Sequence, residues 1–184
     1  SLAHIEDAAI AARNIVRRDE PALSRDRRFL SIAYVNSKTL EGHRTVWSIE
    51  DQRRILDVAV DPFDPASVQS FGLDGELLAV APGGKPRLWS LLDGSSRPVY
   101  VAGEATISTF DRSGDLMAFG LRSGEVELHS RKLGGRWLRL RGLSRPVTLM
   151  VFDDGSERLL AASEDGSVRA WTLPRGDLAF ASGH

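Results

Sequence analysis

The sequence predicts an all-β fold built from four repeated, four-stranded antiparallel units, and three observations predict it. A glycine stands five residues before a ring-bearing residue four times, at Gly42 and Trp47, Gly84 and Trp89, Gly124 and His129, and Gly166 and Trp171, with spacings of 42, 40 and 42 residues. Upstream of each anchor runs a short apolar stretch, "FLSIAYV", "LLAVAP", "LMAFGL" and "LLAAS", each entered through a polar turn and preceded by Leu23, Phe71, Phe110 or Phe152. Downstream of each lies a further strand candidate with partial alternation: residues 53–60, 98–103, 136–142 and 177–183. Strands this short cannot bury both faces alone, so the units must stack face to face.

The elements follow in order. Residues 1–19 do not fit the repeat. Leu2, Ile5, Ala9, Ala12 and Ile15 or Val16 fall at helical spacing, with acids early and arginines late, which predicts a short amphipathic helix. The competing reading makes "AARNIV" a closing strand. Central strands are expected near 29–34, 77–81, 116–121 and 159–163. The first unit carries about six extra residues before Trp47, which lengthen a rim loop. Trp89 and Trp171 are expected to be largely buried.

A repeat of about 40 residues with four strands each has the period of β-propeller blades. The stretch "FDDGSERLLAASEDGSVRAW", residues 152–171, resembles the core of a WD-repeat blade, and the resemblance covers about residues 20–184. It implies a β-propeller segment of four four-stranded antiparallel blades, at about 20–60, 61–103, 104–142 and 143–184. The family opens its blades with Gly-His and supports its turns with a His, Ser/Thr, Asp, Trp network. Here Gly103-Glu104 and Gly142-Leu143 stand at the opening dipeptides, Ala161 occupies the Ser/Thr place, and only Asp165 and Trp171 of that set remain in the fourth unit. The resemblance therefore implies blades that rely on apolar packing. It also implies a non-catalytic scaffold or sensor that recognises protein partners, in bacteria often the regulatory part of a protein with an NTPase, kinase or protease module. Complete rings of this family have more blades, and the terminal Gly183-His184 matches a blade-opening dipeptide, so the chain is expected to be part of a larger ring completed by its parent polypeptide, a second chain or a copy of itself.

Composition narrows the chemistry. The 184 residues are 42% hydrophobic and 27% charged with a formal net charge of -1, so no whole-molecule field favours nucleic acid or anionic membrane. Cysteine is absent, which excludes disulfides, thiolate metal sites and a Cys nucleophile, and suits the expected cytoplasmic location. No apolar run reaches the length of a membrane span. The four histidines, His4, His43, His129 and His184, carry no HExxH, nucleophile elbow or phosphate-cradling loop beside them, and His129 reads as a packing substitute for Trp. The acidic turns lack the ligand spacing of a calcium loop and read as turns. No enzyme, cofactor or metal is expected.

One charge feature stands out. Residues 130–145 hold Arg131, Lys132, Arg136, Arg139, Arg141 and Arg145 without an acid, and plain alternation puts Trp137, Arg139 and Arg141 on one strand face. The functional reading is a surface for nucleic acid or an acidic ligand. The plainer reading is an outer strand that uses positive charge against edge-to-edge aggregation.

Overall fold

The computed structural model describes residues 15–17, 21–60, 70–72, 75–81 and 83–174. They form strands alone, without a helix, in four antiparallel sheets. Sheet A holds β1 (Ile15–Arg17), β2 (Ala22–Leu23), β3 (Phe29–Asn36), β4 (Gly42–Ser48) and β5 (Arg53–Val60), with both β1 and β2 paired to β3. Sheet B holds β6 (Ser70–Phe71), β7 (Glu76–Ala81), β8 (Lys85–Ser90) and β9 (Ser96–Pro98). Sheet C holds β10 (Ala105–Phe110), β11 (Leu116–Leu121), β12 (Val126–Ser130) and β13 (Gly135–Leu140). Sheet D holds β14 (Val147–Phe152), β15 (Arg158–Ser163) and β16 (Val168–Thr172). The expected central strands are thus β3, β7, β11 and β15.

The sequence repeat is written into the backbone. Each anchor lies opposite the same place on the central strand: Trp47 faces Leu30, Trp89 faces Leu77, His129 faces Met117 and Trp171 faces Leu159. Two residues beyond each anchor, an N–H closes the hairpin onto the turn before the central strand. Ile49 donates to Arg28 O at 2.9 Å, Leu91 to Gly75 O at 2.7 Å, Arg131 to Asp115 O at 2.9 Å and Leu173 to Glu157 O at 2.7 Å.

The four repeat glycines do not share one role. Gly84, Gly124 and Gly166 turn their hairpins at φ of 70°, 88° and 81°, where a Cβ is strained. Gly42 instead lies within β4, paired with Val35 and Val60, and Leu40 takes the positive φ of 57°. The longer connection of the first unit makes this possible by moving the turn upstream of the glycine.

Alternation sends opposite strand faces to neighbouring sheets, and the sheets pack in chain order. Phe29, Val46, Leu56 and Val58 of sheet A meet Leu77 and Leu91 of the second unit. Leu78, Val80 and Leu88 of sheet B meet Phe110, Met117, Phe119 and Leu121 of sheet C. The opposite face of sheet C, with Ile107, Ala118, Val126 and Leu128, meets Val147, Met150, Leu159 and Ala161 of sheet D. Full burial of each such side chain contributes about 1.5–3 kcal/mol. Polar links add direction: Thr106 Oγ1 donates to Val147 O at 2.5 Å, and Phe110 N to Ser70 Oγ at 3.0 Å.

One expected strand needs adjustment. The strand expected at 98–103 is Ser96–Pro98, two residues earlier. Val99 still donates to Pro86 O at 2.9 Å, but Pro86 has no N–H to return, so the ladder stops. Trp89 and Trp171 are partly buried, packed against the apolar clusters between sheets A and B and between sheets C and D. Of the N-terminal stretch only Ile15–Arg17 is described, as a strand against Tyr34, Val35 and Asn36. The rest of the expected helix or closing strand lies outside the described residues, as does the strand expected at 177–183.

Candidate functional site

The basic segment folds into β13 and its flanking turns, at the outer edge of sheet C. Its alternation is broken: between β12 and β13 the register steps from Leu128 opposite Leu138 to His129 opposite Arg136, which leaves Trp137 as an extra, bulged residue. The bulge corrects the expected common face of Trp137, Arg139 and Arg141. Arg136 takes the place on the Arg139 side, while Trp137 packs against the apolar cluster between sheets C and D.

Acids from elsewhere in the chain meet the segment's cations. Arg131 binds Glu76 of sheet B at 2.6 Å, and Lys132 binds Asp115 at 2.5 Å. Glu127 on β12 lies 2.8 Å from Arg139 and 3.6 Å from Arg136, while Glu125, just before β12, lies 2.9 Å from Arg141 and 3.4 Å from Arg139. Arg145 alone among the segment's cations makes no ion pair with the described residues. The unbroken positive run of the sequence is therefore a largely compensated strand pair in space.

Glu127 is the centre of this arrangement, with its side chain 1% exposed. It accepts hydrogen bonds from Arg139 and from the Ala102 N–H at 3.2 Å. Burial pushes its carboxyl up, but the Arg139 hydrogen bond and the Ala102 N–H outweigh that and hold it below the usual glutamate range. His129 stands 3.5 Å away and meets Phe119 edge-on at 4.9 Å. Burial lowers its imidazole pKa against the opposing pull of Glu127, which favours the neutral ring.

Between sheets B and C this face opens into a cleft of ≈ 600 Å³. Arg97 and Tyr100 form one wall, Ser130, Arg131 and Arg136 the other, with Met117 and His129 at its base. None of the described residues lining it is acidic. Tyr100 is 84% exposed, and Arg97 makes no ion pair among the described residues. Arg97 and Tyr100 were not among the residues expected from the sequence: they precede the basic segment by 30 residues or more and meet it only because sheets B and C pack. The signal that would have found Glu125 and Glu127 is their alternate placement in "EVEL", next along the chain to "RWLRL".

The remaining anchors are structural. Asp165 accepts from Ser163 Oγ and from Ser167 N at 2.9 Å, bonds that hold its carboxyl down to about 2. Trp47 Nε1 donates to Thr45 Oγ1 at 3.1 Å, and Trp171 Nε1 to Arg141 O at 3.0 Å, linking sheet D to sheet C. Among the described residues no group of three or more His, Asp or Glu is placed to hold a metal ion, and no helix is long and apolar enough to cross a membrane. His43 stacks on Tyr34 and pairs with Asp57 at 2.9 Å. His4 and His184 lie outside the described residues. No protein-family model matches the chain, and no curated protein matches it significantly.

Proposed function

We propose that the chain is a non-catalytic protein-interaction module, a WD-repeat-like β-propeller segment that serves as the scaffold or sensor part of a larger regulatory protein. One observation carries this reading. Sheet D is apolar on both faces, yet the described residues cover only one: Val147, Leu159 and Ala161 are 0–1% exposed against sheet C, whereas Leu149, Val151, Leu160 and Val168 are 37–64% exposed. The strand register places Val151 beside Leu160 and Leu149 beside Ala162, itself opposite Val168, so these side chains form one continuous patch. A patch of this kind marks a protein contact surface. The occupant is a further sheet from the parent chain, a second chain or another copy, as the repeat resemblance implies. A nucleic-acid surface along 131–145 has less support, since five of its six cations already face acids.

Size exclusion with light scattering tests the reading. Self-association that the paired change Val151→Lys and Leu160→Lys abolishes is expected for the isolated chain. A cooperative monomer of 20.1 kDa that binds no hydrophobic dye would overturn it.

A further inference from the structure

The B–C cleft is separate from the apolar face of sheet D, and its charge is not balanced. Across β12 and β13 three guanidinium groups, Arg136, Arg139 and Arg141, share two carboxylates, Glu125 and Glu127, so one positive charge is in excess. Arg136 is the least well held of the three, 3.6 Å from Glu127, and 57% of its side chain is exposed. Arg97 brings a second uncompensated charge from the opposite wall, while Arg131 is neutralised by Glu76. Arg97 and the loosely held Arg136, with no acid lining the space between them, attract a doubly charged anion, and the planar guanidinium fork suits paired oxygens.

The rest of the lining adds shape. Gly134 and Gly135 border the cleft, and a Cβ on either would meet nothing within 4 Å, so the space between the walls is open. The exposed Tyr100 ring, with Pro98 and Val99 beside it, offers an apolar shelf at the mouth. We infer that this cleft binds a phosphate monoester dianion attached to a planar or apolar group, with Arg97 and Arg136 on the phosphoryl oxygens and Tyr100 against the attached group. Such an ester is found on small metabolites and on phosphorylated side chains alike.

Calorimetric titration with phenyl phosphate tests the site, with inorganic phosphate and benzoate as comparators. Saturable 1:1 binding of phenyl phosphate is expected. Arg97→Gln and Arg136→Gln should each weaken it about tenfold, the loss of roughly one charged hydrogen-bonding partner. Tyr100→Ala should remove its advantage over inorganic phosphate. Arg53→Gln, on sheet A and away from both the cleft and the charges around Glu125 and Glu127, is the control and should leave binding unchanged. A phosphotyrosyl peptide that binds about tenfold tighter than phenyl phosphate identifies a phosphoprotein as the source, and equal binding a small molecule. Non-saturable binding, benzoate binding as tight as phenyl phosphate, or an equal loss in Arg53→Gln overturns the inference. None of these results depends on the sheet D surface, since both the ligand and the variants act elsewhere.

Discussion

Arg131 holds Glu76 through two hydrogen bonds, at 2.6 and 3.3 Å, and so ties the hairpin end of sheet C to the start of the central strand of sheet B. The same Arg131 donates its backbone N–H to Asp115 O, the bond that every unit repeats two residues beyond its anchor. Its backbone serves the repeat while its side chain serves the packing of neighbours.

Removal of that side chain should loosen the B–C contact. The pair is partly buried, with 30% and 17% of the two side chains exposed, so Arg131→Met should cost about 1–2 kcal/mol, more than a fully exposed pair. Urea denaturation of Arg131→Met, Glu76→Gln and the double variant checks this. The double variant should lose less than the sum of the singles, because each single change strands a charge.

Two glycines with the same backbone strain should respond differently to alanine. Gly166 has φ of 81° but open space around a new Cβ, so Gly166→Ala should cost about 1 kcal/mol from the left-handed conformation alone. Gly124 has φ of 88°, and its Cβ would lie 2.6 Å from Leu143 O, a backbone atom that cannot step aside. Gly124→Ala should therefore cost at least about 2 kcal/mol and lower the melting temperature visibly more.

Aromatic truncations should follow burial rather than size. Phe119 is 0% exposed between sheets B and C, so Phe119→Ala should destabilise by about 3–5 kcal/mol through the cavity it leaves. Trp171 is half-buried, and Trp171→Ala should cost about 1–2 kcal/mol, part of it the hydrogen bond to Arg141 O. Thermal or chemical denaturation of the two variants gives the comparison directly, and the opposite ranking would place Trp171 deeper than it lies here.

Acid should weaken the fold in two stages. His129 has a folded pKa below its ordinary 6.5, so the unfolded chain takes up its proton first, and stability falls as pH drops below that value. Glu127 and Asp111, whose folded values lie below 4.5 and 3.8, contribute stability above those values that is lost at still lower pH. Denaturation midpoints measured from pH 8 to 3 should thus decline first below about pH 6.5 and more steeply below about 4.5. His129→Gln should flatten the first stage and leave the second.

Much of the architecture was legible from local pattern. The anchor spacing located the four central strands, because side-chain alternation and turn glycines act within a few residues of chain. Arg53–Val60 and Leu116–Leu121 match their expected spans to the residue. The third unit shows where this legibility ends. The segment 130–145 contains no acid, so no local reading of it shows Glu76, Glu125 and Glu127, and the bulge at Trp137 reverses the alternation that a plain strand predicts.

The sequence by itself therefore determined the all-β class and the four-fold repeat, since hydrogen-bonded ladders and turns depend on neighbours close in the chain. Only the tertiary structure decided which charges are free. Ion pairing and cleft formation depend on how sheets B and C face one another, which brings Arg97 and Tyr100 to the loosely paired Arg136 across the chain, while the other cations of the basic run except Arg145 meet carboxylates more closely.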